Sequence, residues 1–416
     1  MVVVGVVLMV EGGTRGMPRH RYFAIGVGAL IAAPAFLAVV PIGFVRRVGR
    51  GLLLAGLPIV VLLLIAEGGL RLFGIDSVTR ACPESHPALG HVLPAGVAGL
   101  DDWGFRNPTV PERADVVVLG DSQVFGHNIA AESDILSAVV AARTGRTVYN
   151  ASLGGYGPLQ YVYLAERTLP LEPGHLVVCL YLGNDLFDAF RHAGLPEWRE
   201  LRAADVDYPA PNYGVEENKP EPNLAMAGLR WLTDHSALVA VGYDKVRARL
   251  RADQELAVTY WREEGDPRWP TGPVATYFTP AYRFETLDRS RFQVRDGLRI
   301  TKVCLERIAA RCGKAGVQPV LMLVHTKEAC YYEAFGEDPA VVPLEPLAAA
   351  EASASEELVA TAKTAGFTII EPLPAQVQAL RDGRPLWLPN ADGHPQEAGT
   401  ALLADMLAAG LRLRAE

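Results

Sequence analysis

Apolar residues occur along this chain in runs of two different lengths. Residues 23–45 form one long run without a charged residue, and residues 51–66 form a second. From Val116 onward the apolar runs are short and alternate with stretches of helical pattern. Long uncharged runs are typical of membrane-spanning helices, whereas short continuous runs are typical of strands buried in a sheet. The pattern therefore predicts an N-terminal membrane region followed by an α/β domain.

The predicted membrane region covers residues 1–74, with transmembrane helices at about 22–45 and 51–70. The second run reaches spanning length only if the Glu67 side chain extends towards the bilayer surface. A cleaved signal peptide over residues 17–45 is the alternative, but a second apolar run follows and no small-residue cleavage site stands out. Residues 75–111 are polar and proline-rich, which predicts a linker or lead-in.

The arginines that flank the two runs give opposite predictions of orientation. Arg46, Arg47 and Arg50 lie between the runs and favour a cytoplasmic loop, which places the C-terminal domain outside the cytoplasm. The arginines within residues 15–21 also favour the cytoplasmic side, and a hairpin of two spans cannot satisfy both groups. We follow the compact group between the runs and expect a cell-membrane protein with an extracytoplasmic domain.

Residues 112–416 form one predicted α/β domain. Strands are predicted at 116–119, 147–149, 176–181, 319–324 and 367–370, and helices at 133–143, 158–168, 294–314, 348–365 and 397–411. Apolar strands that alternate with helices indicate a parallel sheet covered on both faces. Residues 193–285 break this rhythm with proline, tryptophan, tyrosine and charged residues, and include one helical stretch near 236–251. We expect an insertion there that forms a lid or a substrate wall.

Composition narrows the possible functions. The chain has 416 residues, half of them apolar, and a formal net charge of −8. An acidic balance without a lysine or arginine run argues against a nucleic-acid partner. The sequence contains no metal-ligand spacing, phosphate-binding loop or dinucleotide fingerprint, so neither a metal nor a cofactor is predicted.

Polar or glycine residues follow three consecutive predicted strands. Val116–Leu119 leads into Gly-Asp-Ser, which ends at Ser122; the next two strands lead into loops that contain Gly155 and Asn184. Because the carboxyl ends of parallel strands lie at one edge of a sheet, these residues are expected to lie close together. Taken singly, Ser122 fits a helix N-cap and the other two fit ordinary turns.

The loop before the last predicted helix adds an acid and a histidine. The stretch "NADGHPQEAGT" begins at Asn390, and within it Asp392 precedes His394 by two residues. A histidine can accept the proton of a serine hydroxyl, and a carboxylate can fix its tautomer and stabilise the imidazolium. Alone, the stretch also fits a surface loop, but the four blocks occur in one consistent order.

On these four blocks the sequence resembles the SGNH/GDSL hydrolase family, over roughly residues 112–192 and 290–412. The resemblance implies a three-layer α/β/α sandwich with a flavodoxin-like parallel sheet. It also implies Ser122 as the nucleophile and an oxyanion hole formed by the Ser122 N–H, Gly155 and Asn184.

Two further details belong to the same resemblance. Gly155 is chosen over Gly154 because the family's glycine commonly lies five residues after the asparagine that matches Asn150. The stretch "DDWGFRNP" at 101–108 looks like the lead-in of membrane-anchored members. One departure concerns the acid: many members have aspartate three residues before the histidine, where this chain has Ala391. A local backbone shift would still bring Asp392 to the imidazole, and a Ser-His dyad is the alternative.

The resemblance implies a membrane-anchored serine esterase that hydrolyses an O-acyl ester, such as acetyl, on a cell-envelope glycan. Hydrolysis is favoured because the Asp-His pair follows the serine, whereas in alginate-type acetyltransferases it precedes the serine. The alternatives are an O-acyltransferase on the same site and a catalytically silent glycan-binding or assembly protein. A lipid-directed lipase or thioesterase would predict an apolar cleft. His127, His325 and Lys327 are minor candidates for the cleft wall.

Overall fold

The computed structural model describes residues 83–95, 99–208, 267–269 and 272–411, together with scattered residues between 43 and 69 and between 236 and 242. The chain divides into two compact units. The first contains residues 1–80 and 219–253, and the second contains residues 81–218 and 254–416. The predicted helix near 236–251 and most of the predicted insertion lie outside the described residues.

Residues 61–69 of the first unit are helical. The Glu67 side chain is 3% exposed. It accepts hydrogen bonds from the Ser236 hydroxyl and the Leu238 backbone N–H, each at 2.9 Å. Glu67 is therefore buried among protein donors, unlike the extended side chain expected from the sequence. Among the described residues no helix is long and apolar enough to cross a membrane. The span predicted at about 22–45 lies almost wholly outside those residues, and the one predicted at about 51–70 lies partly outside them.

The second unit contains the elements that the short apolar runs predict. Its strands are β1 (Glu84–His86), β2 (Gly90–Val92), β3 (Val116–Gly120), β4 (Val148–Ser152), β5 (His175–Tyr181), β6 (Arg268–Trp269), β7 (Thr276–Tyr277), β8 (Gln318–Val324) and β9 (Thr368–Ile370). Its α-helices are α1 (Ser122–Phe125), α2 (Leu136–Thr144), α3 (Pro158–Thr168), α4 (Asp185–His192), α5 (Pro280–Glu285), α6 (Phe292–Ala315), α7 (Lys327–Phe335), α8 (Glu345–Ala365), α9 (Leu373–Arg381) and α10 (Glu397–Gly410).

Five strands form the central sheet in the order β4-β3-β5-β8-β9, and all neighbouring pairs are parallel. Numbered along the sheet alone, this order is 2-1-3-4-5, the flavodoxin-like arrangement. The predicted parallel sheet is thus confirmed. Strand β3 lies in the interior of the sheet, between β4 and β5, where its four branched apolar residues, Val116–Leu119, are fully buried and pack on both faces.

Helices cover both faces of this sheet. Leu136 and Val140 of α2 and Leu403 and Leu407 of α10 share one apolar core with alternate residues of the strands. The intervening strand residues point to the opposite face, where α3 contacts β3 and β5 and packs against α6. The layers place the carboxyl ends of β3, β4 and β5 at one edge.

Two local features differ from the sequence expectations. The helix predicted to begin at Ser133 begins at Leu136, since residues 132–134 form a 3₁₀ turn and the Ser133 hydroxyl bonds to Asp134 instead of capping α2. The region predicted as a linker contains the antiparallel hairpin β1–β2. Its His91 contacts the glycine loop after β4, as described below.

The long helix α6 packs closely on α4 at one glycine, which provides a test of this fold. A Cβ atom on Gly297 would lie 1.8 Å from the Leu186 carbonyl oxygen. We therefore expect Gly297→Ala to lower the free energy of unfolding by about 3 kcal/mol, measured by urea unfolding of the full chain.

Gly313 of the same helix is the matched control because no atom lies within 4 Å of its Cβ position. Gly313→Ala should raise the free energy of unfolding by about 0.5–1 kcal/mol through helix propensity. Equal effects of the two substitutions would contradict the close approach of α6 to α4.

Candidate active site

The sequence leaves two roles open for Ser122, a helix N-cap and a nucleophile, and the geometry of the turn after β3 distinguishes them. Asp121 is the N-cap of α1, and its carboxylate accepts a hydrogen bond from the Gln123 N–H at 2.9 Å. Ser122 is the first residue of the helix and does not cap it. Its hydroxyl is therefore available for another partner.

That partner is His394, from the loop before α10. The Ser122 Oγ lies 2.8 Å from His394 Nε2, and His394 Nδ1 lies 2.5 Å from Asp392 Oδ1. The side chains of His394 and Asp392 are 21% and 17% exposed, so substrate and water can reach them. The three residues form one continuous chain of hydrogen bonds from hydroxyl to carboxylate.

Asp392 reaches the imidazole although it precedes His394 by only two residues. One of its oxygens, Oδ1, also accepts the His394 backbone N–H at 3.0 Å, which closes a tight turn. The other, Oδ2, accepts from Asn128 Nδ2 at 3.2 Å. Burial opposes ionisation of this carboxyl, but the hydrogen bonds from His394 and Asn128 outweigh burial and lower the pKa of Asp392 below its usual range. A charged carboxylate thus faces the ring.

Lys327 holds the loop that carries these two residues. Its ammonium is fully buried and donates to the carbonyl oxygens of Asn390 and Asp392, each at 2.9 Å, and to Thr276 Oγ1 at 3.2 Å. The Thr276 hydroxyl is also 3.0 Å from the Asn390 oxygen. Burial lowers the pKa of Lys327 to about 8. The lysine is therefore an internal support of the loop.

The remaining predicted residues lie beside Ser122 in different ways. Asn184 lines the same cavity as Ser122, and its Nδ2 is 3.4 Å from Asp121 Oδ2. Gly155 has φ of +80°, and a Cβ there would lie 3.5 Å from His91 Cε1. A Cβ on Gly154 would lie 3.7 Å from the Ser122 Cβ. Gly154 is thus adjacent to Ser122, and Gly155 follows it in the same loop against His91.

His91 fixes that glycine loop from outside. Its Nε2 lies 3.0 Å from the Gly154 carbonyl oxygen, and the Tyr156 hydroxyl donates to the His91 carbonyl at 2.9 Å. Burial lowers the pKa of His91 to about 4, so the ring is neutral at pH 7. The hairpin that carries His91 thereby positions a loop next to Ser122.

Residues 101–108 brace the serine turn. Arg106 is 4% exposed and donates to the carbonyl oxygens of Phe125 and Gly126 at the end of α1, at 3.2 and 2.8 Å. Asn107 donates to and accepts from the backbone of Asn150 in β4, both at 2.9 Å. The lead-in therefore ties α1, which begins at Ser122, to β4, the strand that precedes the glycine loop.

A cavity of about 270 Å³ opens beside the Ser122 hydroxyl. Most of the lining residues have a polar or charged side chain, but their carbon atoms contribute the larger share of the wall surface. The lining residues are Ser122, Gln123, His127, Tyr181, Asn184, Thr279, Tyr282, Arg283, Ala391, Asp392, Gly393 and His394.

The minor histidine candidates have different surroundings. His127 is exposed at the cavity, and its ring centroid lies 4.8 Å from that of His394. His325 is 7% exposed, and its Nδ1 lies 2.8 Å from Glu351 Oε1 in α8. His325 is thus engaged in packing α8 and is not part of the cavity wall.

Comparison with known proteins gives only distant structural likenesses. No protein-family model and no curated protein matches the chain. The chain is similar to an alpha/beta hydrolase enzyme from the metagenome of Lake Arreo, Spain, at 11% identity over 73% of this chain and 97% of that one, with a TM-score of 0.33. It is similar to a catalytic mutant of an acetylxylan esterase from Geobacillus stearothermophilus, at 10% identity, coverage of 73% and 95%, and a TM-score of 0.34.

A third similar structure is described as a GDSL-like lipase from Parabacteroides merdae. Its identity is 11%, its coverage is 74% of this chain and 100% of that one, and its TM-score is 0.31. The similar structures are thus hydrolases, one of them GDSL-like. Likenesses this distant carry no argument about the activity of this chain, which has to rest on the geometry above.

The buried ammonium of Lys327 predicts a pH-dependent stability. Its pKa is about 8 in the folded chain and about 10.4 when unfolded, so the unfolded state binds more protons between these values. In that window the free energy of unfolding of the wild type should rise with pH relative to Lys327→Met, by up to about 1.4 kcal/mol per pH unit. Urea unfolding at pH 7 to 10 measures this difference.

Lys363→Met is the control because Lys363 is exposed on α8. Its stability difference from the wild type should not change with pH in the same window. A constant difference for Lys327→Met as well would contradict a buried ammonium under the Asp392 loop.

Proposed function

We propose that this chain is a serine esterase of the SGNH/GDSL type. The observation that carries the proposal is the unbroken chain Ser122 Oγ to His394 Nε2 at 2.8 Å and His394 Nδ1 to Asp392 Oδ1 at 2.5 Å. Nucleophile, base and orienting carboxylate in hydrogen-bond reach are what acyl transfer through serine requires.

In the proposed reaction, Ser122 Oγ attacks the ester carbonyl while its proton moves to His394 Nε2. Asp392 keeps His394 Nδ1 protonated and stabilises the imidazolium that forms. The C–O bond to the alcohol then breaks, and His394 returns the proton to the leaving oxygen. Water attacks the acyl-enzyme with His394 as base, which releases the acid and restores the Ser122 hydroxyl.

In this proposal, three hydrogen-bond donors stabilise the negative charge of the tetrahedral intermediate. They are the backbone N–H groups of Ser122 and Gly155 and the side-chain amide of Asn184. Asn184 is supported by its position on the cavity wall. The Gly155 assignment is supported by the resemblance and by the preceding Gly154, whose Cβ position lies 3.7 Å from the Ser122 Cβ. Each such donor contributes about 10²–10³ in rate.

The cavity favours some substrates over others. A volume of about 270 Å³ suits a short acyl group, of which acetyl is the smallest common example. A cell-envelope glycan as the alcohol part rests on the family resemblance, and transfer to a sugar hydroxyl in place of water is the alternative on the same site.

Labelling with a fluorophosphonate probe tests the proposed nucleophile. The wild-type chain should be labelled and should hydrolyse 4-nitrophenyl acetate. Ser122→Ala should lose the label and reduce kcat/KM by about 10⁴-fold or more, because the attacking oxygen is removed.

Ser133→Ala is the control, since Ser133 is an exposed serine nearby in sequence. It should keep both the label and the activity. Absence of any Ser122-dependent labelling or cleavage in the folded wild type would refute the esterase proposal and favour a silent binding protein.

The proposal places the domain outside the cytoplasm of a membrane-anchored protein. It is supported by the two uncharged runs, 23–45 and 51–66, and by the arginines at 46, 47 and 50 between them, which favour a cytoplasmic loop. Alkaline phosphatase, which is active only outside the bacterial cytoplasm, should therefore be active when fused after Glu416. The control is the same fusion to residues 75–416, which should be inactive. Activity of a cytoplasm-only reporter at Glu416 would reverse the orientation.

A further inference from the structure

Arg283 is a charged group on the cavity wall that the proposed reaction does not use. It lies in α5 and lines the cavity together with Ser122 and His394. A Cβ on Gly393 would lie only 2.7 Å from Arg283 Nη2, so the guanidinium is in close contact with the backbone next to His394. A cation is thus held within the same small cavity as the serine hydroxyl.

At least one donor of this guanidinium is unused. Its Nε is buried and has no hydrogen-bond partner. Its carbon Cζ lies over the rings of Tyr181 and Tyr282, 5.6 and 5.1 Å from their centroids. Among the described residues, no carboxylate oxygen lies within 4.0 Å of a guanidinium nitrogen of Arg283. Aromatic faces hold the cation but satisfy none of its N–H groups.

Tyr181 adds a second unused donor to the same wall. Its side chain is 2% exposed, and its hydroxyl is buried without a hydrogen-bond partner. The hydroxyl lies 3.3 Å from the Cβ position of Gly393, on the side where Arg283 also approaches. Buried donors without acceptors are rare because each costs about 1–3 kcal/mol. Two of them in one cavity point to an acceptor that a ligand supplies.

The acidic residues that act on Arg283 electrostatically have other partners. Glu328 Oε1 accepts from the Thr279 N–H at 3.0 Å, while its Oε2 is buried without a partner and does not reach the guanidinium within 4.0 Å. Asp392 is engaged by His394 and Asn128. Neither carboxylate therefore occupies the donors of Arg283.

We propose that Arg283 binds a carboxylate on the substrate, so that the preferred ester is an O-acylated acidic sugar of the uronic-acid type. The planar guanidinium offers parallel N–H donors that match the two oxygens of a carboxylate. The Tyr181 hydroxyl is a third donor for the same group. This inference rests on the proposed esterase function and names its substrate class.

The geometry gives the carboxylate a positioning role. An ester carbonyl at Ser122 and a carboxylate at Arg283 would be held at two points of one cavity, which orients the sugar ring between them. The guanidinium engages the substrate before and during the reaction, so its loss should raise KM more than it lowers kcat. Arg283 is thus a residue for specificity and is not one of the groups that move a proton.

Two matched esters test this inference. They are methyl glucuronide and methyl glucoside, each mono-O-acetylated on the same hydroxyl and therefore alike except for the carboxylate. The wild type should hydrolyse the glucuronide with a kcat/KM at least 10-fold higher. Arg283→Gln should reduce this ratio by about 10-fold or more, mainly through KM, and Arg283→Lys should restore only part of it because ammonium is a point charge.

Arg268→Gln is the matched control, since Arg268 is an exposed arginine that does not line the cavity. It should keep the wild-type ratio. Equal hydrolysis of the two esters by the wild type, or an unchanged ratio in Arg283→Gln, would overturn the inference while leaving the esterase proposal intact.

A binding measurement separates failure of the inference from failure of the esterase proposal. Calorimetry measures binding without turnover. On Ser122→Ala it should give a Kd for methyl glucuronide at least 10-fold lower than for methyl glucoside. Adding Arg283→Gln to that variant should remove the difference. Equal Kd values in Ser122→Ala would overturn the inference, even for a chain that cleaves no ester.

Discussion

The candidate site depends on the hydrogen bonds that Lys327 makes beneath the loop before α10. Ser122 follows β3, a fully buried interior strand, so its position is set by the sheet. Asp392 and His394 have no such strand, and their loop is held by an ammonium that donates to the carbonyl oxygens of Asn390 and Asp392. Because all three ammonium donors are used inside the protein, a buried lysine here is stable, although burial lowers its pKa.

A second set of buried polar contacts fixes the opposite side of the site. Arg106 binds the carbonyl oxygens at the end of α1, and Asn107 binds the backbone of β4. His91 contacts the glycine loop that follows β4. These contacts join the hairpin and lead-in to the strand ends, so that the hydroxyl of Ser122 is presented on a rigid frame. Precise positioning of this kind is what a nucleophile and its base require.

Much of the fold follows from patterns that depend on near neighbours in the sequence. Continuous apolar runs such as Val116–Leu119 predict buried strands, and the structure places all five predicted strands in one parallel sheet. The sequence predicts a helix from Ser133, but the Ser133 hydroxyl bonds to Asp134 in a 3₁₀ turn and α2 begins at Leu136. The hairpin at Glu84–Val92 was missed because its strands are three residues long and carry no alternating pattern.

The site shows a similar division. Ser122, Asn184 and His394 stand at strand ends or before a helix, where short motifs predict them. Asn128 and Arg283 have no such signal, since each becomes part of the site only through contacts with residues more than a hundred positions away. Lys327 follows a strand end, which predicts a place in the cleft wall, whereas its hydrogen bonds lie beneath the Asp392 loop. Sequence separation, and not the residue type, limits what can be predicted here.

The short spacing between Asp392 and His394 is accommodated by the loop itself. A carboxylate two residues before a histidine can accept that histidine's own backbone N–H, and Asp392 Oδ1 does so while also contacting Nδ1. The turn therefore fixes the ring through a local contact, and Asn128 and Lys327 fix the turn through distant ones. A spacing of two residues between the aspartate and the histidine is therefore sufficient, because hydrogen bonds set the orientation of the carboxylate.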